Sequence, residues 1–293
     1  MSLVEQAIAR LRNQATAAKS AADAAIKPAM AAMPAVPAVP AAEPPKAAKR
    51  ITVSLGALRA AGYLPEEGKD RLFADHYSRI KRPLIERALS EAGAIGEPRV
   101  IMITSSLPGD GKTFSSINLA LSMALELDVS VLLVDCDVAK RHVSKIFGLK
   151  EETGLLDALA DESLDAESLV VGTNLRGLSI LPAGRAAEAS AEMLSSNRMR
   201  QIVTGLCARA PRRILLLDSP PLLITNEGRA LVKIAGQVVL VVRAGHTPRH
   251  AVQDAAELFD TQQAGGIILN QVQMGLSAAY YGYGTYGADG DDS

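Results

Sequence analysis

The chain has 293 residues, a formal net charge of −1, 48% hydrophobic residues, four Phe and no Trp. Near-neutral charge removes bulk attraction to nucleic acid or to anionic lipid, so no nucleic-acid partner is expected. Two cysteines, Cys136 and Cys207, are too few for a disulfide framework, and no apolar run approaches the roughly 20 residues of a membrane span. The composition predicts a soluble, cytoplasmic protein with an aliphatic core.

Residues 1–19 place Leu3, Val4, Ala7, Ile8 and Leu11 at helical spacing and predict a short amphipathic helix. Such a helix is marginal alone, so it is expected to need a partner surface. Residues 20–50 are rich in Ala and Pro, with Pro28, Pro34, Pro37, Pro40, Pro44 and Pro45 barring a helix. They predict an extended tether. A folded domain is expected over residues 51–276 and a Gly/Tyr-rich tail over 277–293. Arg59 to Pro65 reads as a turn-rich lead-in. Lys69 to Glu91 reads as a charged helical segment that Pro83 should kink or break near Arg82.

From there the pattern alternates as in a wound parallel sheet. Strands are expected at Val100–Thr104, Val131–Asp135, Leu178–Leu181, Ile214–Asp218, Val238–Val242 and Ile267–Asn270. They are continuous apolar runs, as strands covered on both faces should be. The expected fold class is α/β, a mostly parallel sheet with helices on both faces, flanked by a disordered N-terminal linker and C-terminal tail. Ligands of such sheets bind at the carboxyl ends of the strands.

Between the first expected strand and a helical segment beginning at Phe114 lies Ser105-Ser106-Leu107-Pro108-Gly109-Asp110-Gly111-Lys112-Thr113. Strand, glycine-containing loop and helix in that order predict a phosphate-binding loop and with it a P-loop NTPase. Glycines let successive N–H groups turn inward, and the helix N-terminus adds a positive dipole end. Ser106, Pro108, Gly109, Asp110, Gly111, Lys112, Thr113 and Phe114 are the expected cradle for ATP. Ser106 stands where a glycine is usual. Lys112, read as a solvated loop lysine, would meet the β- and γ-phosphates, and the Thr113 hydroxyl would ligate Mg²⁺.

Two further apolar runs end in acids: one in Asp135-Cys136-Asp137 and one in Asp218. Strands often end in Asp merely because it suits turns and caps. Three such acids flanking a phosphate loop instead suggest a site for Mg²⁺, a hard cation that favours oxygen ligands. Cys136 between them reads as a small buried residue. His246 and His250 have the spacing of a helical metal pair, but Thr247-Pro248 reads as N-cap and first helical residue, which leaves His246 outside. Tyr280, Tyr281, Tyr283 and Tyr286 are four of the six tyrosines in the chain and lie among glycines.

The segments "SSLPGDGKT", "VLLVDCDVAKRHVSKIFG", "GLSILPAG" and "ILLLDSPPLL", in that order, resemble the bacterial tyrosine kinases of polysaccharide export. "ADHYSRIKRPL" and the Ala/Pro-rich N-terminus are most similar to the free-standing autokinases of exosortase-associated exopolysaccharide systems. The resemblance covers about Arg59 to Tyr286. It implies Lys112 on phosphates, Thr113 and Asp137 on Mg²⁺, Asp218 near the metal through water, and Asn270 near the adenine. Asp135 or Asp137 would be the base toward a tyrosine hydroxyl, and both remain open. The tyrosine cluster would be the phosphoacceptor, entering a neighbouring subunit's site until its accumulated phosphate charge expels it. Implied partners are a membrane-anchored polysaccharide co-polymerase that recruits the chain to the inner membrane, further copies of the chain, and a tyrosine phosphatase.

The sequence departs from the family pattern in two places. Ala139 stands where many members carry Arg, with Lys140 and Arg141 beside it. The family's oligomerisation motif, Glu-x-x-Arg-x-x-Arg, aligns here with Asp75, Ser78 and Lys81, while Arg79 and Arg82 are offset by one. The alternatives are a MinD/ParA-like ATPase switch or a nucleotide-binding scaffold without catalysis. The former usually carries a lysine where this chain has Leu107.

Overall fold

The computed structural model describes residues 49–90, 96–185 and 189–272. The expected N-terminal helix, nearly all of the tether, and the four tail tyrosines lie outside the described residues. Eight strands form one sheet: β1 (Lys49–Ile51), β2 (Glu97–Ser105), β3 (Ser130–Asp135), β4 (Val171–Thr173), β5 (Leu178–Leu181), β6 (Arg213–Asp218), β7 (Ala235–Arg243) and β8 (Ala264–Asn270). Their order is β1-β4-β5-β3-β6-β2-β7-β8. All neighbours pair in parallel except β4 with β5.

The six expected strands form one continuous parallel run, β5-β3-β6-β2-β7-β8, and the chain has the P-loop α/β architecture. β1 and β4 were not anticipated. Each is three residues long, and Lys49-Arg50-Ile51 carries no apolar run for a sequence reading to find. Together they extend the sheet at one edge, where a short basic strand also discourages pairing with another chain.

Helices cover both faces. α1 (Leu55–Ala60), α2 (Asp70–Leu89), α3 (Lys112–Ala124) and α4 (His142–Ile146) are followed by α5 (Leu155–Ala160), α6 (Ser190–Ser195), α7 (Asn197–Arg209), α8 (Asn226–Val232) and α9 (Arg249–Ala256). The strand period of two divides the core. Ile101, Ile103, Val131 and Leu133 face Tyr77, Leu84, Ile117 and Met123 of α2 and α3. Val100, Met102, Leu132 and Val134 face Leu155, Leu194, Leu206 and Leu231 of α5 to α8. Cys136 belongs to this second cluster and is fully buried, which pushes its thiol well above the usual range.

α2 corrects one expectation. It runs unbroken through Pro83 for 20 residues. The carbonyl that Pro83 leaves without a donor belongs to Arg79, and both residues lie on the exposed face, where water can satisfy it. The opposite face, Tyr77, Lys81, Leu84 and Ala88, is buried, so packing outweighs the lost bond. The lead-in, Arg59 to Pro65, leaves the last two residues of α1 and then runs as turns and bends, as expected. α1 itself is fixed by Ser54 at its N-cap, whose hydroxyl accepts the Ala57 N–H at 3.2 Å.

Candidate active site

The carboxyl edge of the central strands gathers the expected residues. β2 ends at Ser105, and α3 begins at Lys112 after Gly111, whose φ of 93° is left-handed. A Cβ there would also lie 1.9 Å from Asn270 Nδ2 and displace that amide. Gly109, at φ 88°, gives the loop its other left-handed position. The bends turn the loop back over the N-terminus of α3, leaving Pro108 and Gly109 exposed. The segment after β6 braces the loop, since Leu222 N–H donates to Ser105 O at 2.9 Å.

Lys112 is not the solvated residue expected from sequence. It is 7% exposed, and its Nζ donates to Asp137 Oδ2 at 2.8 Å. The three acids are likewise buried, with Asp135 and Asp218 at 0% exposure and Asp137 at 2%. Asp135 and Asp218 are direct partners across β3 and β6. Thr113 Oγ1 donates to Asp218 Oδ2 at 2.9 Å. Ser116 Oγ reaches Asp218 Oδ1 at 2.9 Å, with Lys112 O as its other acceptor at 3.0 Å. Asp135 Oδ2 accepts both the backbone N–H and the hydroxyl of Ser144 at 2.7 Å.

Burial is the main cause of the altered acidities. It pushes the Asp135 carboxyl up to about 7, with help from the neighbouring Asp218 charge and against the Ser144 hydrogen bonds. Burial also raises Asp218 to about 6, although the Lys112 charge and the Ser116 and Thr113 hydroxyls oppose it.

The residues fit a nucleotide with a divalent cation. Asp135 Oδ1 and Ser106 Oγ are buried at the site without a hydrogen-bond partner. Thr113, Asp137 and Asp218 offer a hydroxyl and carboxylates, the hard oxygen donors that suit Mg²⁺. Among the described residues no group of three or more His, Cys, Asp or Glu is placed to hold a metal by itself.

Other expected residues fall around this centre. Phe114 packs edge-on against Phe73 of α2, with ring centroids 6.3 Å apart. Asn270 Nδ2 donates to Asp110 O at 2.9 Å, so its amide is bonded to the phosphate loop itself. Thr247 is not the cap of α9. Its hydroxyl donates to Asp110 Oδ1 at 2.7 Å and accepts the Arg243 N–H at 3.0 Å, while Pro248 holds the cap position. Lys140 is exposed, and Arg141 donates to Gly184 O at 3.4 Å.

Three residues were missed from sequence. Ser116 lies one helical turn beyond Thr113, so its shared face with that hydroxyl was a findable signal. Ser144 and Thr247 have no such local signal, because their partners come from other parts of the chain.

The AAA domain family model matches residues 98–264. The tyrosine-protein kinase YwqD of Bacillus subtilis is 32% identical over 187 residues, which cover 63% of this chain and 77% of that protein. The chain belongs to the bacterial tyrosine-kinase family. Among other relatives, the Salmonella typhimurium tyrosine-protein kinase Wzc is 29% identical over 189 residues, 64% of this chain but only 26% of Wzc. The crystal structure of the VpsO kinase domain superposes with a TM-score of 0.56 at 29% identity, covering 71% of this chain and all of that domain. This tyrosine-kinase chain thus spans most of YwqD and about a quarter of Wzc. Among its described residues, no helix is long and apolar enough to cross a membrane.

Proposed function

We propose that the chain is an ATP-dependent protein-tyrosine autokinase that phosphorylates its own C-terminal tyrosines and thereby regulates exopolysaccharide polymerisation and export. The observation that carries this reading is the pairing of loop with strand tips: Lys112 on Asp137, and Thr113 with Ser116 on Asp218. The ammonium and hydroxyls expected to meet phosphates and cation are already held by the acids expected to share that cation.

Phosphoryl transfer asks the protein mainly for positioning and charge neutralisation. Bound Mg²⁺ supplies positive charge against the phosphate oxygens. The N–H groups of the loop and the N-terminus of α3 orient the phosphates, and Lys112 adds its charge beside them. Thr113, Asp137 and Asp218 hold the cation. Asp135 is assigned as the base toward the tyrosine hydroxyl. Its Oδ1 has no other partner, and Ser144 fixes the carboxylate through Oδ2. Tyr280, Tyr281, Tyr283 and Tyr286 are the acceptors, and a membrane-anchored co-polymerase is the partner that recruits the chain.

The test is to incubate the purified chain with ATP and Mg²⁺ and to probe for phosphotyrosine, with Lys112→Met alongside. Modification of the parent and none in Lys112→Met is expected. Equal modification of both would remove this loop from the reaction.

A further inference from the structure

Asp110 lies between Gly109 and Gly111, inside the loop read as a phosphate cradle, and is 4% exposed. A carboxylate is electrostatically out of place there, because it would repel the phosphates. Its contacts give the reason for it. Oδ1 accepts the Thr247 hydroxyl at 2.7 Å, and Oδ2 accepts the Leu107 N–H at 3.3 Å. The main-chain oxygen of the same residue accepts Asn270 Nδ2 at 2.9 Å. Thr247 in turn accepts the Arg243 N–H at 3.0 Å, and Arg243 pairs with Asn270 at the ends of β7 and β8. One loop residue is therefore bonded to its own loop, to the turn between β7 and α9, and to the end of β8.

We propose that Asp110, Thr247 and Asn270 form a clasp that fixes the phosphate loop against the β7–α9 turn and so sets nucleotide affinity. The clasp rests on the reading that the loop holds ATP. Asp110 and Thr247 act as positioning residues. The Thr247 hydroxyl does two jobs, since it satisfies the Arg243 N–H and neutralises one acceptor of the Asp110 carboxylate. Without that hydroxyl, a buried and unpaired carboxylate oxygen would remain in a loop meant for anions, which is costlier than having no carboxylate at all. Removing Thr247 alone should therefore weaken nucleotide binding more than removing Thr247 and Asp110 together.

The experiment measures binding of a fluorescent ATP analogue to the full chain, together with KM for ATP, kcat and melting temperature. Thr247→Val should raise Kd and KM about tenfold while kcat at saturating ATP stays within about twofold, the size expected for one lost hydrogen bond. Thr247→Ser should bind like the parent. The Asp110→Ala/Thr247→Val double variant should bind more tightly than Thr247→Val. Parental affinity in Thr247→Val, weak binding in Thr247→Ser, or a double variant weaker than Thr247→Val would each overturn the clasp. If the parent binds no nucleotide, the reading beneath the clasp fails and the clasp fails with it. If the parent binds and Thr247→Val is unaffected, the clasp alone fails.

Discussion

Lys112 Nζ and Asp137 Oδ2 form a buried ion pair at 2.8 Å, with side-chain exposures of 8% and 2%. Each residue gives the other the opposite charge it would otherwise lack in a dry site. Breaking such a pair from one side leaves a buried charge uncompensated. Lys112→Met should therefore lower stability by about 3 kcal/mol besides abolishing self-phosphorylation. Lys112→Met/Asp137→Asn should recover most of that stability and none of the activity. Urea unfolding of the parent, both single variants and the double variant gives the coupling. An additive double variant would mean that the pair contributes nothing to the fold.

Asp135 predicts an unusual pH dependence. An ordinary carboxyl titrates near 4, and this one titrates near 7 in the fold. Between those values the folded chain binds a proton that the unfolded chain has released, so stability falls as pH rises and levels off above about 7. Asp135→Asn removes that penalty. In chelator and without nucleotide, the variant should melt above the parent at pH 8, with the gap closing toward pH 4. A gap of the same size across that range would contradict the raised pKa of Asp135. Losing kinase activity while gaining stability is the expected trade at a functional acid.

The parallel core was legible because its strands are buried on both faces. β3, β5 and β6 begin and end within one residue of the expected runs. The phosphate loop and the three acids were legible because loop chemistry and strand tips are local features. Pro83 misled because its local cost was visible while the packing of Tyr77, Leu84 and Ala88 was not. Lys112 read as solvated for the same reason: its partner is 25 residues away in sequence. Ser144 and Thr247 matter only through residues brought beside them by the sheet.

Lys81 shows how a familiar alignment acquires another meaning. It occupies a position aligned with the family's oligomerisation motif, yet it is 6% exposed. Its Nζ donates to Ser122 O at 2.8 Å and pairs with Glu126 at 2.8 Å, which ties α2 to the end of α3. Lys81→Met should cost about 1–3 kcal/mol, because the Ser122 carbonyl loses its donor while half-exposed Glu126 returns to water. Chemical denaturation reads this directly, and parental stability would show that the contact is idle.

Asp218 and Asp137 differ in their partners but should share a phenotype. Thr113 and Ser116 hold the two oxygens of Asp218, and Lys112 holds Asp137. Asp137→Asn and Asp218→Asn each remove one charge from the expected cation site. Both should raise the Mg²⁺ concentration for half-maximal activity by about tenfold or more, the scale of one charged contact. Ser116→Ala should shift it less, since Thr113 remains on Asp218. Unchanged Mg²⁺ titrations in both acid variants would reduce these acids to strand caps.

The most direct measurement of the central claim is mass spectrometry of the chain after incubation with ATP and Mg²⁺. The parent is compared with Lys112→Met and with a variant carrying Phe at 280, 281, 283 and 286. The account predicts phosphotyrosine on the parent, confined to the segment carrying Tyr280, Tyr281, Tyr283 and Tyr286, and none on either variant. A parent that binds and hydrolyses ATP yet acquires no phosphotyrosine would contradict the assignment as an autokinase.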